Sequence, residues 1–180
     1  MMLRIWIVTT FLFATLNANQ CSISDAIMLT ILKTEGHKAR KLGYEYIISF
    51  NNTEDAELVG KSNLQMYFID KRSLDCKNLK FCVKITKALW KIGIRNLDLG
   101  AWQINSNSHF FEAEEYFNFN DSYYNACKYV EKNTGRHGFT WYAIAGYHSF
   151  TKEHNYRYQG LLKANYNLIK RKSQYVGVSR

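Results

Sequence analysis

Two short stretches hold the residue types from which a reaction can be built. Asp98-Leu99-Gly100-Ala101-Trp102-Gln103-Ile104-Asn105 sets one acid, one glycine and two amides among apolar residues. It reads as a turn that leads into a short apolar segment presenting Gln103 and Asn105. A carboxamide offers donors and an acceptor together, which suits the hydroxyl and acetamido groups of a sugar. The same amides would serve equally to satisfy backbone groups in a buried turn. The other stretch ends at Glu35. Ile27, Met28, Ile31 and Leu32 recur at helical spacing after Ser24-Asp25, a pair suited to an N-cap, and Gly36 suits the stop. Glu35 then closes a mostly buried helix, where the negative end of the helix dipole and the loss of water both raise a carboxyl pKa. A general acid working near neutral pH needs such a shift. By position alone, a surface Glu on a last helical turn is the competing reading.

These stretches must be held together by the rest of the chain, and their order is informative. Asp98 to Asn105 resembles the Asp-x-Gly-Leu-Met-Gln-Ile-Asn signature of the lytic transglycosylases. Upstream, Ile31-Leu32-Lys33-Thr34-Glu35-Gly36 is similar to the segment of that family that ends in its catalytic Glu. Downstream, Ala143-Ile144-Ala145-Gly146-Tyr147-His148 is similar to its Ala-x-Ala-x-Tyr-Asn segment. The three pieces span Ile27 to Tyr158, in the family's order, and the small enzymes that accompany secretion, conjugation and pilus machines are the branch they resemble. The resemblance implies an α+β, mostly α, lysozyme-like fold with a small β element beside the catalytic Glu. It implies cleavage of the β-1,4 bond between N-acetylmuramic acid and N-acetylglucosamine, leaving a 1,6-anhydro sugar. Glu35 would be the catalytic acid, and Gly100, Trp102, Gln103, Asn105 and Tyr147 would bind substrate, with Trp102 as a groove wall. Asp98 would be a second acid only in a hydrolytic, goose-type-like lysozyme. The implied partners are peptidoglycan glycan strands and a secretion, conjugation or pilus machine, the protein acting as a monomer without metal or cofactor. One departure bears on activity: the family's Ser after the Glu is replaced by Gly36, and His37-Lys38-Ala39-Arg40-Lys41 follows. His37 is either a proton relay or a solvated residue of a basic turn. A scaffold that binds wall glycan without cutting it is the non-enzymatic alternative.

Composition sets the outer bounds. The 180 residues carry a formal charge of +9 and 47% hydrophobic residues, enough to build one core. There is no proline, so helix ends and turns rest on Gly, Asn, Asp and Ser. A basic balance suits any polyanion, including the peptide carboxylates of peptidoglycan. No zinc-finger spacing or RNP motif points to nucleic acid. Arg4, the apolar run from Ile5 to Leu16 and the small Ala18 form the pattern of a secretory signal. Residues 1–18 are therefore expected to be removed, leaving a domain over 19–172 and a basic tail over 173–180 in a periplasmic or secreted protein. Cys21 lacks the small preceding residue of a lipoprotein. Four cysteines allow two bridges in three connectivities; Cys76 and Cys82 are close enough in sequence to close a small loop, which would leave Cys21 for Cys127.

Elsewhere the patterning predicts a strand over 44–50, a loop or short helix over 53–60 and a second strand over 64–69. It predicts an amphipathic helix over 79–92, with Cys82, Ile85, Leu89 and Ile92 on one face and Lys80, Lys84, Lys87 and Lys91 opposite. The lysines read as a solvated face or a wall-binding one. Asn107, Ser108 and His109 extend the polar patch. Further helices are expected over 121–131, ending at Gly135 and Gly138, over 141–149 behind Thr140, and over 155–172.

Overall fold

The computed structural model describes residues 20–177, with side chains through 171. The expected signal segment over 1–18 lies outside the described residues. The chain is α+β and mostly helical. Its elements are α1 (Asp25–Glu35), β1 (Ile47–Phe50), α2 (Thr53–Gly60), a 3₁₀ turn (Gln65–Tyr67), β2 (Ser73–Asp75), α3 (Leu79–Lys91), β3 (Leu97–Leu99), β4 (Ile104–Asn105), α4 (Ala113–Phe117), α5 (Phe119–His137), α6 (Trp141–Ala145) and α7 (Lys152–Gly177).

The sheet is antiparallel throughout, in the order β2-β1-β3-β4. Its register explains its use. Leu74, Ile48, Leu99 and Ile104 pair across all four strands, and all four are buried. Side chains alternate between faces along a strand, so the neighbouring row points the other way. That row is polar: Ser73, Ser49, Asp98 and Asn105. The sheet therefore gives one face to the core and aims a line of polar groups outward.

Helices build the other wall. α1 packs against α7, α7 against α6, and α6 against α5, while α4 bridges α3 and α5. Ile27, Met28, Ile31 and Leu32 of α1 are buried. Thr30 and Thr34 satisfy their hydroxyls on the carbonyls of Ala26 and Thr30, at 2.6 and 2.7 Å. Thr34 also accepts a 3.0 Å bond from Asn165 of α7, tying the two helices together where Glu35 emerges. Asn78 caps α3 by accepting from Phe81 N, and Thr140 caps α6 by accepting from Ala143 N. Two bridges, Cys21–Cys127 and Cys76–Cys82, staple the N-terminal segment to α5 and β2 to α3. Disulfides persist in oxidising compartments, so the chain belongs outside the cytoplasm. Among the described residues no helix is long and apolar enough to cross a membrane.

Several expectations are corrected. Within 64–69 the chain forms no strand: Gln65–Tyr67 is the 3₁₀ turn and Phe68 makes an isolated bridge to Leu74, while the partner of β1 is Ser73–Asp75. Ser62 fixes the turn by donating to Val59 O and accepting from Leu64 N, which leaves Met66 exposed. Asn118, not Asp121, caps α5, its side chain accepting from Asn120 and Asp121 N, and the helix runs through Gly135 to stop at Gly138, where φ is +72°. α7 starts at Lys152 and continues to Gly177, so the helix runs past the expected end at residue 172.

Candidate active site

Glu35 ends α1 facing a polar cleft of about 270 Å³. The cleft is formed where the polar row of the sheet meets α5 and the turn after α6. Asp98, Gln103, Asn105 and Tyr147 line it beside Glu35. Burial pushes the Glu35 carboxyl up to about 8; a hydrogen bond from the Tyr158 hydroxyl opposes that shift and the charge of Asp98 reinforces it. Glu35 is therefore a carboxylic acid, with its proton, at neutral pH.

Asp98 sits differently. Burial raises its pKa too, while hydrogen bonds from Asn105 and Asn51 pull it back. Asn105 Nδ2 donates at 2.9 Å to Asp98 Oδ1 and at 2.9 Å to Asn96 Oδ1, and its own Oδ1 accepts from the backbone N–H groups of Asn107 and Ser108 at 3.0 Å each. Asn51 in turn accepts from Arg72 at 3.2 Å. Asn105 is thus committed at both ends. It holds Asp98 and the loop after β4, which leaves it little capacity for a sugar.

The turn between β3 and β4 explains the glycine. Gly100 has φ +76°, and a Cβ there would lie 1.9 Å from the Tyr116 carbonyl oxygen. Only glycine fits, and its role is to let the hairpin tip rest on α4. Gln103 takes the left-handed conformation as well, at φ +48°, and donates from Nε2 to Gly100 O at 2.7 Å. Such a backbone is uncommon outside glycine and clusters at functional sites. Gln103 also borders a neighbouring hollow with Ser49, Asp70, Arg72 and Asp98, so the polar row continues past the cleft.

Trp102 does not form a groove wall. It is 1% exposed, packs on Phe119 and Tyr123, and its indole nitrogen finds no acceptor among the described residues. The turn that points Gln103 outward points the preceding ring, that of Trp102, inward, because neighbouring side chains leave a hairpin tip on opposite sides. Its carbonyl nevertheless serves the site, accepting the Tyr147 hydroxyl at 2.7 Å. Tyr147 is therefore anchored by its hydroxyl, and burial together with the nearby Glu35 charge holds its pKa well above the usual range.

Sequence reasoning missed Tyr158 and His148. Tyr158 of α7 donates to Glu35 Oε1, and His148 stacks on the Tyr158 ring with centroids 4.9 Å apart. His148 stands where the motif that residues 143–148 resemble has Asn, and burial lowers its pKa against the pull of Asp98. Position 148 was legible in the motif; Tyr158, 123 residues from Glu35, carried no local signal. His109 does line the cleft, its ring 4.2 Å from that of Tyr129. His37 does not: Nδ1 accepts from Ala39 N and Nε2 faces Asp70 at 2.8 Å, which fixes it in the loop after α1.

Among the described residues, Cys21, Cys127 and Glu131 are the one set of three potential metal ligands in mutual reach. The two sulfurs are bonded to each other, and Glu131 accepts from the backbone and hydroxyl of Ser22 at 2.7 and 2.6 Å. That group is a structural staple. No protein-family model matches the chain, and neither a curated protein nor a solved structure does.

Proposed function

We propose that the protein is a lytic transglycosylase on a lysozyme-like scaffold, cutting the β-1,4 bond between N-acetylmuramic acid and N-acetylglucosamine in peptidoglycan. The observation that carries this reading is Glu35: a carboxyl held protonated to about pH 8 at the edge of a polar cleft, with sugar-compatible groups around it. In the reaction, Glu35 gives its proton to the glycosidic oxygen as the bond to C1 breaks. The acetamido group of the same sugar supports the positive charge developing at C1. The C6 hydroxyl then bonds to C1, and the Glu35 carboxylate takes the proton released from it. One residue acts first as acid and then as base, and a 1,6-anhydro end results. Tyr158 holds the orientation of the carboxyl, while Gln103 and Tyr147 border the sugar; Asn105 keeps Asp98 and the loop in place. Export through the N-terminal segment and service to a secretion, conjugation or pilus machine complete the proposal.

A second reading, hydrolysis, draws on Asp98, an acid lining the same cleft, which would direct a water. Digestion of purified peptidoglycan followed by mass spectrometry separates the two. Anhydro ends are expected; reducing ends would transfer the reaction to a lysozyme-type hydrolase. Intact glycan after incubation with the native protein would overturn both, and glycan binding without cutting would make it a wall-binding scaffold.

A further inference from the structure

A second hollow, about 820 Å³, shares no lining residue with the cleft. Its long wall is one side of α3. Phe81, Ile85, Ala88 and Ile92 recur there at spacings of three and four, the spacing of one helix face. Leu58 at the end of α2 and Met66 on the 3₁₀ turn close it from the other sides. Three of these are well exposed: Met66 by 79%, Ile92 by 65% and Leu58 by 60%. Single exposed apolar residues need no explanation, but a contiguous concave set marks a surface that is covered in use.

Charge says what kind of partner covers it. Lys84 is part of the lining, and Lys80 and Lys91 lie one turn before and two turns after it along α3. None of the three forms an ion pair among the described residues, whereas Lys87 is taken by Glu114 at 2.9 Å. An apolar floor beside a row of unpaired lysines complements a segment that is apolar on one face and acidic along its flank. A second copy of this chain would bring the same lysines against each other on a molecule of charge +9. The chain's own residues 1–19 contain Arg4 and no acid. A hollow walled on three sides admits a helix or extended segment more readily than a flat lipid surface.

We propose that the groove between α2, the 3₁₀ turn and α3 docks an acidic amphipathic segment of another protein, independently of the chemistry at Glu35. The test uses a synthetic amphipathic helix roughly four turns long, with leucines at helical spacing and glutamates flanking them, and a twin carrying lysines in place of the glutamates. Binding is followed by backbone amide shifts of the labelled full chain. The acidic peptide is expected to perturb α3 and the 3₁₀ turn, to weaken with added salt, and to bind at least about tenfold more tightly than its basic twin. Met66→Glu and Lys84→Glu are each expected to weaken it by about tenfold or more. Both positions are exposed, so the variants keep the fold. Equal binding of the two peptides, or no binding of either, overturns the proposal. So does native protein that captures phosphatidylglycerol vesicles, or self-associates, through a surface that Met66→Glu abolishes.

Discussion

Asp75 and Glu35 lie at the ends of β2 and α1, both drawn away from water, and their carboxyls move in opposite directions. Burial opposes charge in each case. At Asp75, hydrogen bonds from Lys77, Tyr44 and Arg40 overcome the burial and bring the carboxyl down to about 2. Its Oδ1 accepts from Tyr44 at 2.8 Å and from Lys77 N at 2.9 Å, while Oδ2 takes Arg40 Nε at 2.8 Å, Lys77 Nζ at 2.9 Å and the Arg40 Nη2 as well. At Glu35 one phenol is the only hydrogen-bond donor among the described residues, and the neighbouring charge is an acid. The difference teaches that enclosure alone does not assign a carboxyl its role. The number and sign of its partners decide whether it becomes a fixed anion that ties a corner or an acid with a proton to give.

The comparison breaks most visibly in rate. Glu35→Gln keeps size and hydrogen bonding but has no proton to deliver, so glycan cleavage is expected to fall by at least ~10²–10⁴ with the far-ultraviolet spectrum unchanged. Asp98→Asn is expected to do less. Equal loss in a folded Asp98→Asn protein would favour the hydrolase, and full activity in Glu35→Gln would remove Glu35 from the site.

Asp75→Asn tests the other side. It leaves Arg40 and Lys77 around a neutral amide in a site whose acid is 2% exposed. Arg40 and Lys77 are 25% and 53% exposed and keep access to water, so the expected loss is about 2 kcal/mol of stability by denaturant unfolding. At a temperature where the variant is still folded, activity per folded molecule is expected to be retained.

Stability against pH then sharpens the contrast, because the signs differ. Glu35 is protonated when folded up to about pH 8, but ionises near 4.5 when unfolded. Between those values the unfolded chain binds fewer protons, so stability falls as pH rises, by as much as about 1.4 kcal/mol per unit. Glu35→Gln is expected to gain on the native protein through that window and to lose the gain below pH 4.5. Asp75 contributes stability that is complete above its ordinary 3.8 and is lost as pH falls through about 2. Melting curves of native and Asp75→Asn protein are therefore expected to converge in acid. Parallel melting temperatures across pH for either pair would contradict the assignment.

The smallest effect concerns the bridge next to Asp75. Replacing Cys76 and Cys82 together by Ser removes a link between residues 6 apart in sequence, worth about 2 kcal/mol in chain-entropy terms. The Cys21–Cys127 link spans 106 residues, and its removal is expected to cost about twice that. Differential scanning calorimetry of the two double variants, showing the reverse order, would mean that corner strain rather than loop length sets their worth.

Parts of this arrangement were readable from the chain and parts were not. α3 announced itself because its lysines and apolar residues alternate at helical spacing over the full length. Glu35 and the hairpin acid were found because their motifs are local. Leu64 to Ile69 imitated a strand because its composition is apolar and aromatic, whereas its geometry is set by the Ser62 hydroxyl and by packing. β2 was hidden because three residues, two of them polar, give no alternation to read. Asp75 was invisible for a related reason: Arg40, Tyr44 and Lys77 reach it from separate turns. Trp102 was assigned to the groove from its place in a motif, and only the twist of the turn shows that it belongs inside.

The bond from Tyr158 to Glu35 has a consequence in time. During synthesis, Glu35 leaves the ribosome 123 residues before the phenol that seals it. Until α7 docks against α1, the carboxyl meets water and titrates as an ordinary acid. Closing α7 on α1 is therefore the step that takes the Glu35 carboxyl out of water, while the phenol that α7 brings restrains the resulting rise in its pKa.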